Sequence, residues 1–250
     1  MWTHRELIKN LVVADFKLRY QNTSLGFFWS LLSPFLLTIT LYFVFRNVFH
    51  GEQYYALSIL VGILAWKLFS GGTMACLYSL VGKANLITKV NIPRKIIVLS
   101  AALSNLVTAV LEFIVLLPII WWFTGHLPAT IPLFIVVHFL LLLFIYGIGL
   151  IFGALFVYFR DLSSIWEVML QILIFSSPIF YPLSVISERI KPYYMLNPLT
   201  RFIIIYKDIM INGKLPSVSD FLIVIGFVAA ALLVGNYLFN RLQRRFAEVM

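Results

Sequence analysis

Residues 131–159 read IPLFIVVHFLLLLFIYGIGLIFGALFVYF, an apolar run without one Asp, Glu, Lys or Arg. A membrane-crossing helix needs about 20 mostly apolar residues, so this stretch alone is long enough to span. The rest of the chain agrees with it. Of 250 residues, 62% are apolar, 12% are charged and 16% are aromatic, and the mean hydropathy is +0.97. A soluble domain is roughly half apolar and a quarter charged, which excludes an ordinary soluble enzyme. Disorder is excluded as well, because disordered chains are poor in aromatic and aliphatic residues. What remains is a polytopic, all-α membrane protein.

Working outward, five further runs have the same character: 25–49, 56–81, 96–123, 162–181 and 221–239. Lys67, Glu112, Glu167 and Gln171 interrupt them. The stretch 202–211 is apolar but too short to cross, and it carries Lys207 and Asp208, so it reads as a re-entrant or interfacial helix. Six transmembrane helices put both termini on one side. Lys and Arg decide which side. Arg5, Lys9, Lys17 and Arg19, then Lys83, Lys89, Arg94 and Lys95, then Arg160, then Arg241, Arg244 and Arg245 all fall on one face of this topology, which is therefore cytoplasmic. The short outer loop 124–130 has no Lys or Arg. The long outer loop has Arg189, Lys191, Arg201, Lys207 and Lys214, which are available to a substrate. The net charge of +9 thus punctuates hydrophobic runs and does not gather on a nucleic-acid face. Residues 1–24 are mixed and charged and do not read as a cleavable signal.

Residues 5–20 form an amphipathic pattern. Leu7, Ile8, Leu11, Val12 and Phe16 share one side, with Arg5, Lys9, Asp15, Lys17 and Arg19 around them and Tyr20 at the end. Such a helix lies in the headgroup plane, though a simple topogenic flank would carry the same charges. The loop 82–95 (GKANLITKVNIPRK) has four cations and no acid. It reads either as one short amphipathic turn, stopped at Pro93, or as a solvated positive-inside loop. At the tight turn 160–161, Asp161 is placed to cap the following helix and Arg160 to reach the headgroups. Gly149 and Gly153 give G-x-x-x-G, which permits close helix contact within the chain or with a second copy.

Chemistry-bearing residues are sparse. Lys67 and Glu112 lie at bilayer depth, where a charge needs a wet cavity or a partner. One or both line a path, or they pair with each other, or Lys67 snorkels toward the outer surface. Cys76 is the only Cys, so no disulfide forms within the chain. His4, His50, His126 and His138 show no ligand spacing, so no metal site is expected. There is no G-x-x-x-x-G-K-[ST] motif and no paired-carboxylate or triad pattern. Aromatics are dense at Phe27, Phe28, Trp29, Tyr42, Phe43 and Phe45 and again at Phe175, Phe180 and Tyr181; most read as core packing or interfacial belts, a minority could rest against sugar rings, and composition does not choose which.

Several strings occur in a particular order: Arg19-Tyr20, Ser24-Leu25-Gly26, Trp29 and Pro34; Phe159-Arg160-Asp161; Ser177-Pro178-Ile179 with Tyr181-Pro182; and Asn197-Pro198. Together they resemble the permease subunits of ABC-2 type polysaccharide exporters, over nearly the whole chain. The resemblance implies one permease domain, 1–250, in the cytoplasmic (inner) membrane. It implies an N-terminal interface helix (1–24), six spans, a cytoplasmic coupling helix in 82–95 and two re-entrant outer gate helices in 182–216. It also implies a homodimer and two copies of a separate cytoplasmic ATPase. That ATPase, not this chain, would hold ATP and Mg, so no cofactor is expected here. Lys83, Asn85, Leu86, Lys89, Asn91 and Arg94 would then meet the ATPase. The expected cargo is a lipid-linked polysaccharide of the O-antigen, capsule or teichoic acid class, moved along a path containing Phe28, Trp29, Lys67, Glu112 and Tyr181. The competing readings are a drug or lipid permease, a membrane-embedded glycosyltransferase and a passive channel. An enzyme of the second kind needs acids and cations in one surface loop to hold metal and phosphates, and 82–95 has no acid.

Overall fold

The computed structural model describes residues 4–21, 25–49, 54–89 and 92–246. Among them the structure is helical, with no strand. The order is α1 (Arg5–Tyr20), α2 (Phe28–Phe45), α3 (Tyr55–Gly82), α4 (Ala84–Lys89), α5 (Arg94–Thr124), α6 (Leu133–Tyr158), α7 (Leu162–Phe175), α8 (Lys191–Tyr194), α9 (Pro198–Lys207) and α10 (Val218–Leu242). Helices dominate because the hydrocarbon offers no water to a backbone amide, and a helix answers its amides within itself.

Five helices, α2, α3, α5, α6 and α10, are long and apolar enough to cross a membrane. They coincide with five of the six expected spans to within a few residues at each end. The sixth, expected over 162–181, is helical only in the 14 residues of α7, about 21 Å. The cause is local. Pro178 has no amide to continue the helix and disfavours helical geometry at Ser177, and the Ile179 amide turns back onto the Ser177 carbonyl at 2.7 Å.

α3 is the hub. Its face is buried nearly all round, with α5, α6, α2 and α9 packed against it. Small residues set how closely they approach. A side chain at Gly149 would lie 2.5 Å from Cys76 Cβ, and one at Gly153 would lie 3.1 Å from the Cys76 carbonyl. G-x-x-x-G therefore serves packing of α6 on α3 within the chain. Gly147 faces the other way, where an added Cβ would meet the Ala231 carbonyl carbon at 2.7 Å, and Gly235 lies on the Gly147 carbonyl. This pair lets α6 and α10 touch backbone to backbone.

The helix ends gather in two groups. At one end Asp15 of α1 meets Lys83 after α3 at 2.6 Å, and Tyr158 of α6 donates to the Leu242 carbonyl of α10 at 2.8 Å. At the other end Tyr55 of α3 donates to the Phe180 carbonyl at 2.5 Å, and Thr130 donates to the Ile209 carbonyl at 2.6 Å. The segment from α7 to Phe180 connects the two ends.

In Gly235→Ala the added methyl must displace the Gly147 backbone, and stability should fall by about 1–3 kcal/mol. Gly226 has open space around it, so Gly226→Ala should be neutral or slightly stabilising. Thermal unfolding of the two purified variants in the same detergent checks the contrast.

Candidate functional site

Lys67 and Glu112 pair. Lys67 Nζ lies 2.7 Å from Glu112 Oε1 and donates to the Ser30 carbonyl at 2.6 Å. The Glu112 side chain is 2% exposed and that of Lys67 36%. A carboxylate so buried is tolerable because the ammonium answers it. Among the readings the sequence offers, mutual pairing is observed. Phe28 and Trp29, beside Ser30 at the base of α2, are exposed. Tyr181 stands apart, at the far end. Its hydroxyl shares a 2.6 Å hydrogen bond with Tyr194 and donates to the Phe175 carbonyl at 2.6 Å. Burial, and then that bond with Tyr181, raises the Tyr194 hydroxyl above its ordinary pKa. The expected path residues thus form two separate groups.

α1 is strapped to the bundle. Besides the Asp15–Lys83 pair, Arg19 donates to Asn105 Oδ1 of α5 at 3.1 Å. Tyr20 stacks edge-on with Phe16 and Phe27 at 5.0 and 5.7 Å. Arg5, Lys9 and Lys17 remain exposed on the opposite side. Between α1, α3 and α5 lies a cavity of about 340 Å³ lined by Asp15, Arg19, Ser79, Lys83 and Ser104 among others.

The loop 82–95 contains a helix, α4, of six residues. Asn85 and Lys89 are exposed on it, and Leu86 is half-buried. Lys83 and Arg94 flank α4 but face inward. Lys83 holds Asp15. Arg94 donates to the Gln243 carbonyl and lies 5.5 Å above the Phe246 ring, which ties the end of α10 to the start of α5. Asn91 lies outside the described residues. Nothing in the spacing of Lys83 or Arg94 marks them as clamps, since their partners Asp15 and Gln243 are remote in sequence.

Asp161 does not cap α7 with its side chain. Its backbone is already helical, at φ −68° and ψ −13°, whereas a capping side chain needs an extended backbone. Arg160 lies 5.2 Å over the Phe156 ring. In the long loop, Arg201 pairs with Asp220, Lys191 with Glu188 at 3.0 Å, and Lys207 donates to the Pro178 carbonyl at 2.5 Å. Arg201 and Lys207 thus hold the loop, whereas the Lys191–Glu188 pair lies exposed on its surface.

Five membrane-length helices, an amphipathic helix strapped to one end and a short helix projecting beside it define a multi-pass membrane protein. The chain belongs to the ABC-2 type transporter family, whose model matches residues 6–211. It is 29% identical to the O-antigen export system permease protein RfbA of Klebsiella pneumoniae, over 98% of this chain and 95% of that protein. It is 28% identical to RfbA of Myxococcus xanthus, over 99% and 96%. The polysialic acid transport protein KpsM of Escherichia coli is 22% identical, over 93% and 92%.

Removing the Arg94 clamp should loosen the end of α10. A hydrogen bond from a charged group contributes about 1.5–3 kcal/mol, so Arg94→Ala should speed tryptic cleavage after Arg241 and Arg244 roughly tenfold or more. Lys89→Ala should leave the rate unchanged.

Proposed function

We propose that the chain is the membrane subunit of an exporter that moves a lipid-linked polysaccharide across the cytoplasmic membrane, powered by ATP hydrolysis on a separate polypeptide. The observation that carries this is the near full-length similarity to O-antigen export permeases. A hydrated glycan cannot enter hydrocarbon, where its hydroxyls would lose water without replacement, so it needs a polar path.

Two exposed stripes are suited to that path. On α2 and the turn after it, Trp29, Ser33, Leu36, Thr40, Phe43 and Asn47 recur at alternating steps of four and three and are all exposed. On α7, Ser164, Glu167 and Gln171 are exposed on one side. Hydroxyls, amides and a carboxylate facing outward at membrane depth are expensive against lipid and are favoured beside water. Two copies related by a two-fold axis would enclose these stripes between them. In this reading the segment from α7 to Phe180 completes a sixth crossing, both termini are cytoplasmic, and α8 and α9 are the outer gate.

The cytoplasmic end carries exposed Lys89, Arg160, Arg241 and Arg244, consistent with the positive-inside rule. α4 projects there between two clamped helix ends, which suits a lever. ATP and Mg bind the partner ATPase, present in two copies. Its closure pushes Asn85, Leu86 and Lys89, and the motion passes through Lys83 to α1 and through Arg94 to α5 and α10. Arg94 acts here as a clamp and not as a contact with the ATPase.

Co-reconstitution with the cognate ATPase tests the reading. Lipid-linked polysaccharide should stimulate ATP hydrolysis several-fold, and small amphiphiles should not. Equal stimulation by amphiphiles would favour a drug or lipid permease. Lys89→Glu should abolish the stimulation while the two subunits remain folded.

A further inference from the structure

Pro34 lies inside α2. Proline has no amide hydrogen, so the carbonyl four residues earlier loses its helical donor. That carbonyl belongs to Ser30, and it is the one to which Lys67 donates, at 2.6 Å. The Ser30 hydroxyl is not the substitute, since it donates to the Phe27 carbonyl at 2.7 Å. The Lys67 ammonium therefore does two tasks at once: it replaces the amide that Pro34 lacks, and it answers Glu112 of α5 at 2.7 Å.

The rest of α2 is lightly held. Only Pro34 and Thr38 are buried in it, and the Thr38 hydroxyl has no hydrogen-bond partner. Both lie on the face toward the bundle, one turn apart. Ser30 begins that face, and Lys67 joins it to both α3 and α5, with the Ser30 hydroxyl a second polar neighbour of Glu112.

We propose that Lys67 is a positioning residue for transport: by filling the donor gap left by Pro34 it pins the base of α2 to α3 and α5 and sets where that wall of the path stands. The role of α2 as a wall rests on the export reading above; the pin itself does not. Alanine at position 34 returns the missing amide, so a helix carrying Pro34→Ala no longer needs Lys67 for the Ser30 carbonyl. Neutralising Glu112 removes the other demand on the ammonium.

The test uses the full chain co-reconstituted with its ATPase in nanodiscs, with nitroxide labels at Val44 on α2 and Val115 on α5, both exposed. Pulsed EPR reads the spread of the distance between them, and glycan export is measured in parallel. Lys67→Met with Glu112→Met strands no charge, introduces no new donor and leaves the carbonyl unanswered. The distance distribution should broaden at least twofold and export should fall about tenfold. Adding Pro34→Ala to that pair should narrow the distribution again and return export to within about twofold of the parent. Lys67→Arg, which keeps the donor, should retain a narrow distribution. The proposal is overturned if the double variant is as narrow as the parent, because Lys67 would then serve only to neutralise Glu112. It is equally overturned if Pro34→Ala gives no narrowing. A restored distance distribution without any export in the parent protein would count against the export reading alone and leave the pin standing.

Discussion

Inside a bilayer nothing but the protein answers a backbone carbonyl, an amide or a charge. That constraint orders the whole molecule. It makes every crossing a helix, and it requires Glu112, buried at the centre, to have Lys67 beside it. Several polar side chains elsewhere obey the same rule at short range. Thr73 donates to the Phe69 carbonyl and also accepts from Trp166 of α7, so one hydroxyl joins two helices. The buried His138 of α6 shares its hydrogen bond with Tyr206 of α9 at 2.6 Å. α9 is fastened to the bundle by polar contacts of this kind together with the burial of Phe202, Ile203 and Ile205.

With the hydrophobic effect largely absent between helices in lipid, close packing has to hold the bundle. Glycines supply it. Gly149 and Gly153 admit α3, and Gly147 with Gly235 admits α10. α2 and α7 have no comparable glycine contact, and both leave most of their surface exposed. The glycine contacts join α3, α6 and α10 at close range, and the polar stripes lie on α2 and α7, outside that group.

The long helices could be read from hydropathy because twenty apolar residues have few alternatives to a span. The short amphipathic elements could be read almost as well, since α1 and α4 fall within the expected segments. What escaped reading was tertiary. One exception is local: Ser176, Ser177 and Pro178 interrupt 162–181, and the backbone consequences of Pro178 end α7 at Phe175. Lys83 and Arg94 look identical to Lys89 in composition, yet the first two are held by Asp15 and Gln243, 68 and 149 positions away. Asp161 has the residue type of a cap without its backbone angles. The Lys67–Glu112 pair was one of three open alternatives, because nothing in the spacing of two separate spans tells which faces meet. The bridge from Lys67 to the carbonyl freed by Pro34 had a signal, a proline inside a span, but the donor that fills the gap is visible only in three dimensions.

The central claim is that this chain supplies the path and another supplies the power. Proteoliposomes holding the chain and its ATPase, with lipid-linked polysaccharide in the leaflet facing the nucleotide, test it directly through the accessibility of the glycan to a lectin on the opposite side. The account predicts that the lectin signal rises only when ATPase, ATP and Mg are all present. Movement of the glycan by the chain without its ATPase, or ATP hydrolysis by the chain alone, would contradict it.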